Sequence, residues 1–87
     1  MKQIQYILIA LLCVPLFAQQ TYVPDDNFEA YLEANGMGNG IANDDSVTTA
    51  NINTVEGLSV IGLGITSMTG LEDFTALIYL DCRGNQL

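Results

Sequence analysis

Carboxylates are the most abundant reactive groups in this 87-residue chain, which has ten Asp and Glu, two Cys and no His. Without histidine, neither a Ser/His/Asp triad nor a Cys/His pair can be assembled. Asp25-Asp26 and Glu72-Asp73 are sequence neighbours, which suits charges at helix starts better than the two separated carboxyls of a glycosidase. The sequence therefore predicts a protein that is not an enzyme, with no catalytic residue and no cofactor.

Residues 35–45 are the stretch whose residue types best suit a cation. Asp and Asn oxygens are ligands that Ca²⁺ prefers, but the segment NGMGNGIANDD lacks the EF-hand order and a terminal bidentate acid. Gly, Asn and Asp are equally typical of turns, in which their side chains bond the backbone. We expect a turn and no metal site, and we keep calcium binding as the alternative.

Basic side chains are almost absent. Lys2 and Arg83 stand against ten acids, which gives a formal charge of −8. Phosphate backbones and anionic lipids are bound by clustered Lys and Arg. The composition predicts no nucleic-acid partner and no basic attachment to a membrane.

The first eighteen residues have the layout of a secretory signal peptide. Lys2 precedes a twelve-residue apolar run, Tyr6 to Phe17, and the small residue Ala18 precedes two glutamines. The run is shorter than the ~20 residues that span a bilayer. We predict cleavage after Ala18, a location outside the cell or at its surface, and no stable membrane insertion after cleavage.

Cys13 is interpreted as part of the apolar run, because Leu12 before it is not the small residue that a lipoprotein signal requires. The mature chain then keeps one cysteine, Cys82, which cannot form an internal disulfide. It also keeps a single arginine against ten carboxylates, a formal charge of −9.

Residues 19–54 are predicted to form an N-terminal cap with a short helix. Asp26 is the expected N-cap, with Glu29 three residues later as in a capping box. An apolar face of Phe28, Tyr31 and Leu32 follows at helical spacing, and Asn35-Gly36 is the expected stop. For Val47 to Val55 the sequence leaves a short strand and a helical turn both open.

Residues 55–87 align with themselves at a shift of 22. Leu77, Leu80, Cys82, Asn85 and Leu87 form the complete pattern L-x-x-L-x-C-x-x-N-x-L. The earlier copy keeps the apolar positions, with Leu58 and Val60 at its centre, but has Leu63 in place of the asparagine. Apolar residues also recur every three positions from Ile65 to Leu77, which favours a 3₁₀-like or extended return segment. Leu80 and Cys82 are expected on one side of a short strand, followed by Asn85 at the turn.

The stretches TYVPDDNFEAYLEANG, NGIANDDSVTTANI and ITSMTGLEDFTALIYLDCRGNQL resemble the start of secreted leucine-rich repeat proteins of Gram-negative bacteria. In that family a helix-bearing cap precedes internalin-like repeats of 22 residues. The resemblance implies an α/β fold: the start of a leucine-rich repeat solenoid of short parallel strands behind an N-terminal helical cap. Residues 55–87 would then hold one degenerate and one incomplete repeat.

The resemblance also implies a function. The intervening strand residues of such repeats form the concave binding face, which here gives Ser59 and Ile61 in the first copy and Tyr79, Asp81 and Arg83 in the second. We therefore expect a non-enzymatic module that binds an extracellular protein or glycan. The alternative is a calcium-stabilised cap or spacer of a larger surface adhesin, or of an enzyme whose catalytic domain lies elsewhere. Because stacked repeats need neighbours, we expect the chain to be a fragment of a longer product.

Overall fold

The computed structural model describes residues 18–87. The predicted signal peptide, apart from Ala18 at its cleavage site, lies outside the described residues, and so does Cys13. Within residues 18–87, no helix is long and apolar enough to cross a bilayer. The strands and the helix follow in the order β1 (Gln20–Tyr22), α1 (Asp26–Ala34), β2 (Ser46–Thr48), β3 (Gly57–Ser59) and β4 (Tyr79–Asp81), with 3₁₀ turns at Thr49–Asn51 and Leu71–Asp73.

Helix α1 forms where the sequence predicts it, but its N-cap is Asp25 and not Asp26. Asp25 Oδ1 accepts hydrogen bonds from the backbone N–H groups of Asn27 and Phe28, at 3.0 and 2.9 Å. The predicted capping box is therefore wrong, because the N-cap lies one residue earlier and Glu29 is no longer at the third helical position. The helix ends at Asn35 as expected, and Met37 N–H donates to Leu32 O at 2.8 Å beyond it.

The cap also contains a β-ribbon that the sequence analysis did not predict. Strands β1 and β2 pair antiparallel with Thr21 opposite Val47, and both of these side chains are buried. The chain then enters the 3₁₀ turn Thr49–Asn51. The two structures left open for residues 47–55 are thus both present, one after the other.

Strands β3 and β4 form a second, parallel pair. Its register places Leu58 opposite Leu80 and Ser59 opposite Asp81, so paired residues are separated by the same 22 positions as the sequence repeat. The pairing continues beyond the strands, since Gly62 N–H donates to Arg83 O at 2.9 Å.

One apolar core joins the cap to the repeat segment. The Phe28 and Phe74 rings stack with centroids 6.2 Å apart, and this contact packs helix α1 against the segment that returns from β3 to β4. Apolar side chains this well buried each stabilise the fold by ~1.5–3 kcal/mol. The buried set is Val23, Phe28, Leu32, Val47, Ile52, Leu58, Val60, Ile65 and Phe74.

The return segment fits closely against β1. Gly70 has φ +106°, and a Cβ at this position would lie 2.8 Å from Tyr22 O and 2.8 Å from a Val23 methyl. Glycine is required here for two reasons: it adopts this positive φ without strain, and it has no Cβ to collide with Tyr22 O and the Val23 methyl. Thr21 Oγ1 donates to Asp73 Oδ2 at 2.8 Å and ties the following 3₁₀ turn to the same strand.

Candidate functional site

The five residues predicted to form a binding face come from β3, β4 and the residues just after each strand. Leu58 and Val60 face the core, so Ser59 between them faces outward, with Asp81 opposite it in the parallel register. Ile61 and Tyr79 are 48% and 58% exposed. The outward side of this two-stranded sheet therefore presents a continuous row of polar and apolar side chains.

Asp81 and Arg83 form a bidentate ion pair at the centre of this row. Arg83 Nε donates to Asp81 Oδ1 and Nη2 donates to Oδ2, both at 2.9 Å. The Arg83 side chain is 80% exposed and the Asp81 side chain only 10%. The hydrogen bonds from Arg83 hold the pKa of Asp81 below its usual value, and the same contact raises the pKa of Arg83. The two hydrogen bonds hold the guanidinium in one orientation. The positive charge of Arg83 and the negative charge of Asp81 cancel, so the pair as a whole is neutral.

Tyr79 extends the row on the other side of Asp81. Its hydroxyl lies 3.4 Å from Asp81 Oδ2, and Gly57 is its partner in the β3–β4 register. A Cβ built on Gly57 would lie 3.9 Å from Tyr79 Cδ2, so one edge of the ring is in van der Waals reach of this position. Most of the Tyr79 side chain stays exposed.

The repeat-core residue Asn85 connects the two copies. Its Nδ2 donates to Val60 O at 2.6 Å and to Cys82 O at 2.9 Å. Its Oδ1 accepts from the N–H groups of Leu63 and Ile65, at 2.9 and 3.0 Å. One amide side chain thus satisfies backbone groups in both turns where no strand partner is available.

The second copy is less covered than the first at equivalent positions. Leu58 is 1% exposed and its counterpart Leu80 is 38% exposed, while Ile65 is fully buried and its counterpart Leu87 is 63% exposed. Leu77 and Cys82 are partly buried against the core. In the first copy these positions belong to the core that also contains Phe28 and Leu32 of helix α1.

Glycine- and asparagine-rich residues 35–45 are held to helix α1 by two carboxylates. Glu29 accepts the N–H groups of Asp44 and Asp45, each at 3.1 Å. Glu33 accepts those of Asn39 and Gly40, each at 2.9 Å. The acidic side chains thus bond backbone groups of a turn-rich loop.

Glu29 is the most buried of these acids, at 1% exposure. Carboxylate oxygens of Glu29, Glu33 and Asp44 lie within 4.8 Å of one another, as do those of Glu29, Asp26 and Asp45. Burial raises the pKa of Glu29 above its usual value, and its contact with the Asp44 carboxyl acts in the same direction. These are the described residues that could approach a cation, but both Glu29 and Glu33 already accept backbone N–H groups.

Asp25 is a structural residue whose full role the sequence analysis missed. While Oδ1 caps helix α1, Oδ2 accepts from Thr66 N–H at 2.9 Å, Thr66 Oγ1 at 3.0 Å and Ser67 N–H at 3.2 Å. Partial burial of the Asp25 carboxyl raises its pKa, but the hydrogen bonds from Thr66, Phe28 and Ser67 outweigh this effect and lower it overall. The local signal was only an acid after Pro24, which also fits an ordinary N-cap.

Compared with models of protein families and with curated proteins, the chain matches neither. The leucine-rich repeat assignment therefore rests on the residues of the chain itself and stays a prediction.

Proposed function

We propose that this chain is an exported, non-enzymatic module of leucine-rich repeat type that binds an extracellular protein or glycan. The observation that carries the proposal is the row formed by the paired strands β3 and β4 and the residues just after them, in which Ser59, Ile61, Tyr79 and Arg83 are exposed and Asp81 is bonded to Arg83. The repeat assignment is supported by the 22-residue register of this pair and by the Asn85 contacts between the two copies.

The chemistry of the row favours recognition over catalysis. Tyr and Arg are the side chains most often found as energetic anchors of interfaces. Arg83 is bonded to Asp81 at both carboxylate oxygens, so less side-chain entropy is lost at Arg83 when a partner binds. The bidentate pair is neutral as a unit, so the partner need not supply a compensating charge.

The test compares partner binding by the exported protein and by the double variant Tyr79→Ala/Arg83→Ala, using cross-linking on the cell surface and a glycan array. Tyr22→Ala is the matched control, since Tyr22 is 62% exposed but lies on β1. We expect the double variant to lose at least ~10-fold in affinity, because each anchor truncation costs ~1–2 kcal/mol. Equal affinity of the double variant and the control would show that Tyr79 and Arg83 do not anchor the partner.

The proposal includes a longer parent protein in which a further turn covers Leu80 and Leu87. The exposure of these side chains, compared with Leu58 and Ile65, supports it. Thermal unfolding of residues 19–87 as a dilute monomer is the direct test. We expect a broad transition of low cooperativity, and a sharp one would count against the fragment hypothesis.

The alternative is a calcium-stabilised cap. The observation in its favour is the approach of Glu29, Glu33 and Asp44 oxygens to within 4.8 Å of one another. Their hydrogen bonds to loop backbone N–H groups favour the turn interpretation. Titration with low-millimolar calcium, followed by melting, separates the two: an upward shift of the melting temperature supports the cap, and no shift supports the turn.

A further inference from the structure

Gln19 immediately precedes β1 and Gln20 is the first residue of that strand, and the two side chains differ in what they contact. Gln20 Nε2 donates to Thr48 Oγ1 at 3.3 Å, and Gln20 Oε1 accepts from Asn39 Nδ2 at 3.1 Å. The Gln19 side chain is exposed and makes no hydrogen bond among residues 18–87. Its carboxamide is therefore free to react, whereas that of Gln20 is engaged.

Resting on the proposed export with cleavage after Ala18, we infer that Gln19 is a modification site and becomes an N-terminal pyroglutamate. Cleavage would turn the backbone nitrogen of Gln19 into an α-amine. That amine lies within the same residue as the exposed carboxamide, so the two groups can meet in a five-membered ring without movement of the rest of the chain.

The reaction is a transamidation that needs no second reactant. The α-nitrogen attacks the side-chain Cδ, a new C–N bond forms, the Cδ–Nε2 bond breaks, and the leaving group departs as ammonia with the proton given up by the amine. The product is a neutral lactam. It removes the terminal positive charge and leaves Arg83 as the only formal cation of the mature chain.

The fold is compatible with this product. The backbone contact of Gln19 runs through its carbonyl oxygen, which accepts from Thr49 N–H at 2.9 Å. Ring closure uses the α-nitrogen and the side chain but leaves this carbonyl in place. Strand β1 and its pairing with β2 begin one residue later, so the lactam sits at the edge of the ribbon without disturbing its ladder.

The experiment expresses the complete sequence in an exporting Gram-negative host and measures the intact mass of the exported chain, followed by N-terminal sequencing. We expect a chain that starts at Gln19, is lighter by one ammonia and is blocked to sequencing. The matched variant is Gln19→Asn, whose shorter side chain would need a strained four-membered ring. It should be exported with a free amine and be readable from its first residue.

The outcomes separate this inference from the proposed export. A chain that starts at Gln19 with an intact amine would overturn the modification but leave export standing. A chain that keeps Met1 or starts at another residue would overturn both the modification and the predicted cleavage site. An equal loss of ammonia from the Gln19→Asn variant would also overturn the inference, because the ammonia would then come from another amide.

Discussion

Replacement of Asn85 by alanine removes three hydrogen bonds between the two repeat copies and one within the second copy. The variant loses the donors to Val60 O and Cys82 O and the acceptor for the N–H groups of Leu63 and Ile65. Three of these four hydrogen bonds are partly buried, and the bond to Leu63 is exposed. Water can therefore replace one partner readily and the others only in part.

The magnitude follows from this count. A neutral hydrogen bond contributes ~0.5–1.5 kcal/mol net, and a buried group left without a partner costs ~1–3 kcal/mol. Partial access of water to the three less exposed groups places the expected local loss at about 2–4 kcal/mol. Since ~1.4 kcal/mol corresponds to a factor of ten, the opening equilibrium should shift by roughly two decades.

Amide hydrogen exchange, read residue by residue by NMR, measures this shift directly. In Asn85→Ala we expect exchange at Leu63 and Ile65 to accelerate by roughly 100-fold. The N–H groups of Asp44 and Asp45, which Glu29 holds in the cap, should change little. Equal acceleration at all four amides would mean global unfolding, and no acceleration at Leu63 and Ile65 would refute the role assigned to Asn85.

The isosteric variant Asn85→Asp tests the donor half of the network alone. A carboxylate keeps an acceptor for Leu63 and Ile65 but turns an oxygen toward Val60 O and Cys82 O, which now repel it. The two carbonyl oxygens lose their donor and face a carboxylate oxygen, so the variant should be less stable than the protein with Asn85. At one pH, the protection factor of the Ile65 N–H should therefore be lower in this variant than in the protein with Asn85, and an unchanged protection factor would contradict the donor assignment.

Three further outcomes follow from other positions. Gly70→Ala should lower the free energy of unfolding by about 2–4 kcal/mol, because the new Cβ contacts Tyr22 O and a Val23 methyl and the backbone is strained at φ +106°. Gly36→Ala is the control: no atom lies within 4 Å of its new Cβ, so it should cost only about 1 kcal/mol of backbone strain. Urea unfolding of the two variants measures the difference. The pKa of Asp25 is lowered from 3.8, so its stabilising contribution is present above pH 3.8 and is lost as the pH falls through the folded-state pKa. In Asp25→Ala the melting temperature should therefore fall less on acidification than it does in the unchanged protein. Burial and the neighbouring Asp44 raise the pKa of Glu29 from 4.5, so its stabilising contribution is complete below pH 4.5 and is lost as the pH rises through the folded-state pKa. In Glu29→Gln the melting temperature should depend less on pH over that interval. An unchanged pH dependence would contradict the role assigned to Glu29.

Several local elements could be predicted from the residues alone. Helix α1 follows from the spacing of Phe28 and Leu32 and from the stop at Asn35, all within one short segment. The inward positions of Ile65 and Phe74 follow from the apolar residue at every third position. Such signals are readable because they depend on neighbours within a few residues along the chain.

Longer-range contacts were not predictable in the same way. Glu29 appeared to be the acid of a capping box, but it bonds a loop 15 residues away. The β1–β2 ribbon joins Gln20 to Thr48, and neither segment has enough alternation over three residues to be recognised as a strand. In both cases the residues nearby along the chain were compatible with several hydrogen-bond partners, and the fold selected a distant one.

For the candidate binding row, the sequence by itself determined the spacing of 22 residues, and the resemblance to leucine-rich repeats is what proposes Tyr79, Asp81 and Arg83 as its members. Only the tertiary structure decided what these side chains contact, with the Tyr79 hydroxyl and the Arg83 guanidinium both directed to Asp81. The same holds for Asp25, whose second carboxylate oxygen bonds Thr66, 41 positions along the chain. A repeat period is fixed by spacing along the chain, whereas the partner of a polar side chain is fixed by which distant backbone groups the packed core brings within reach.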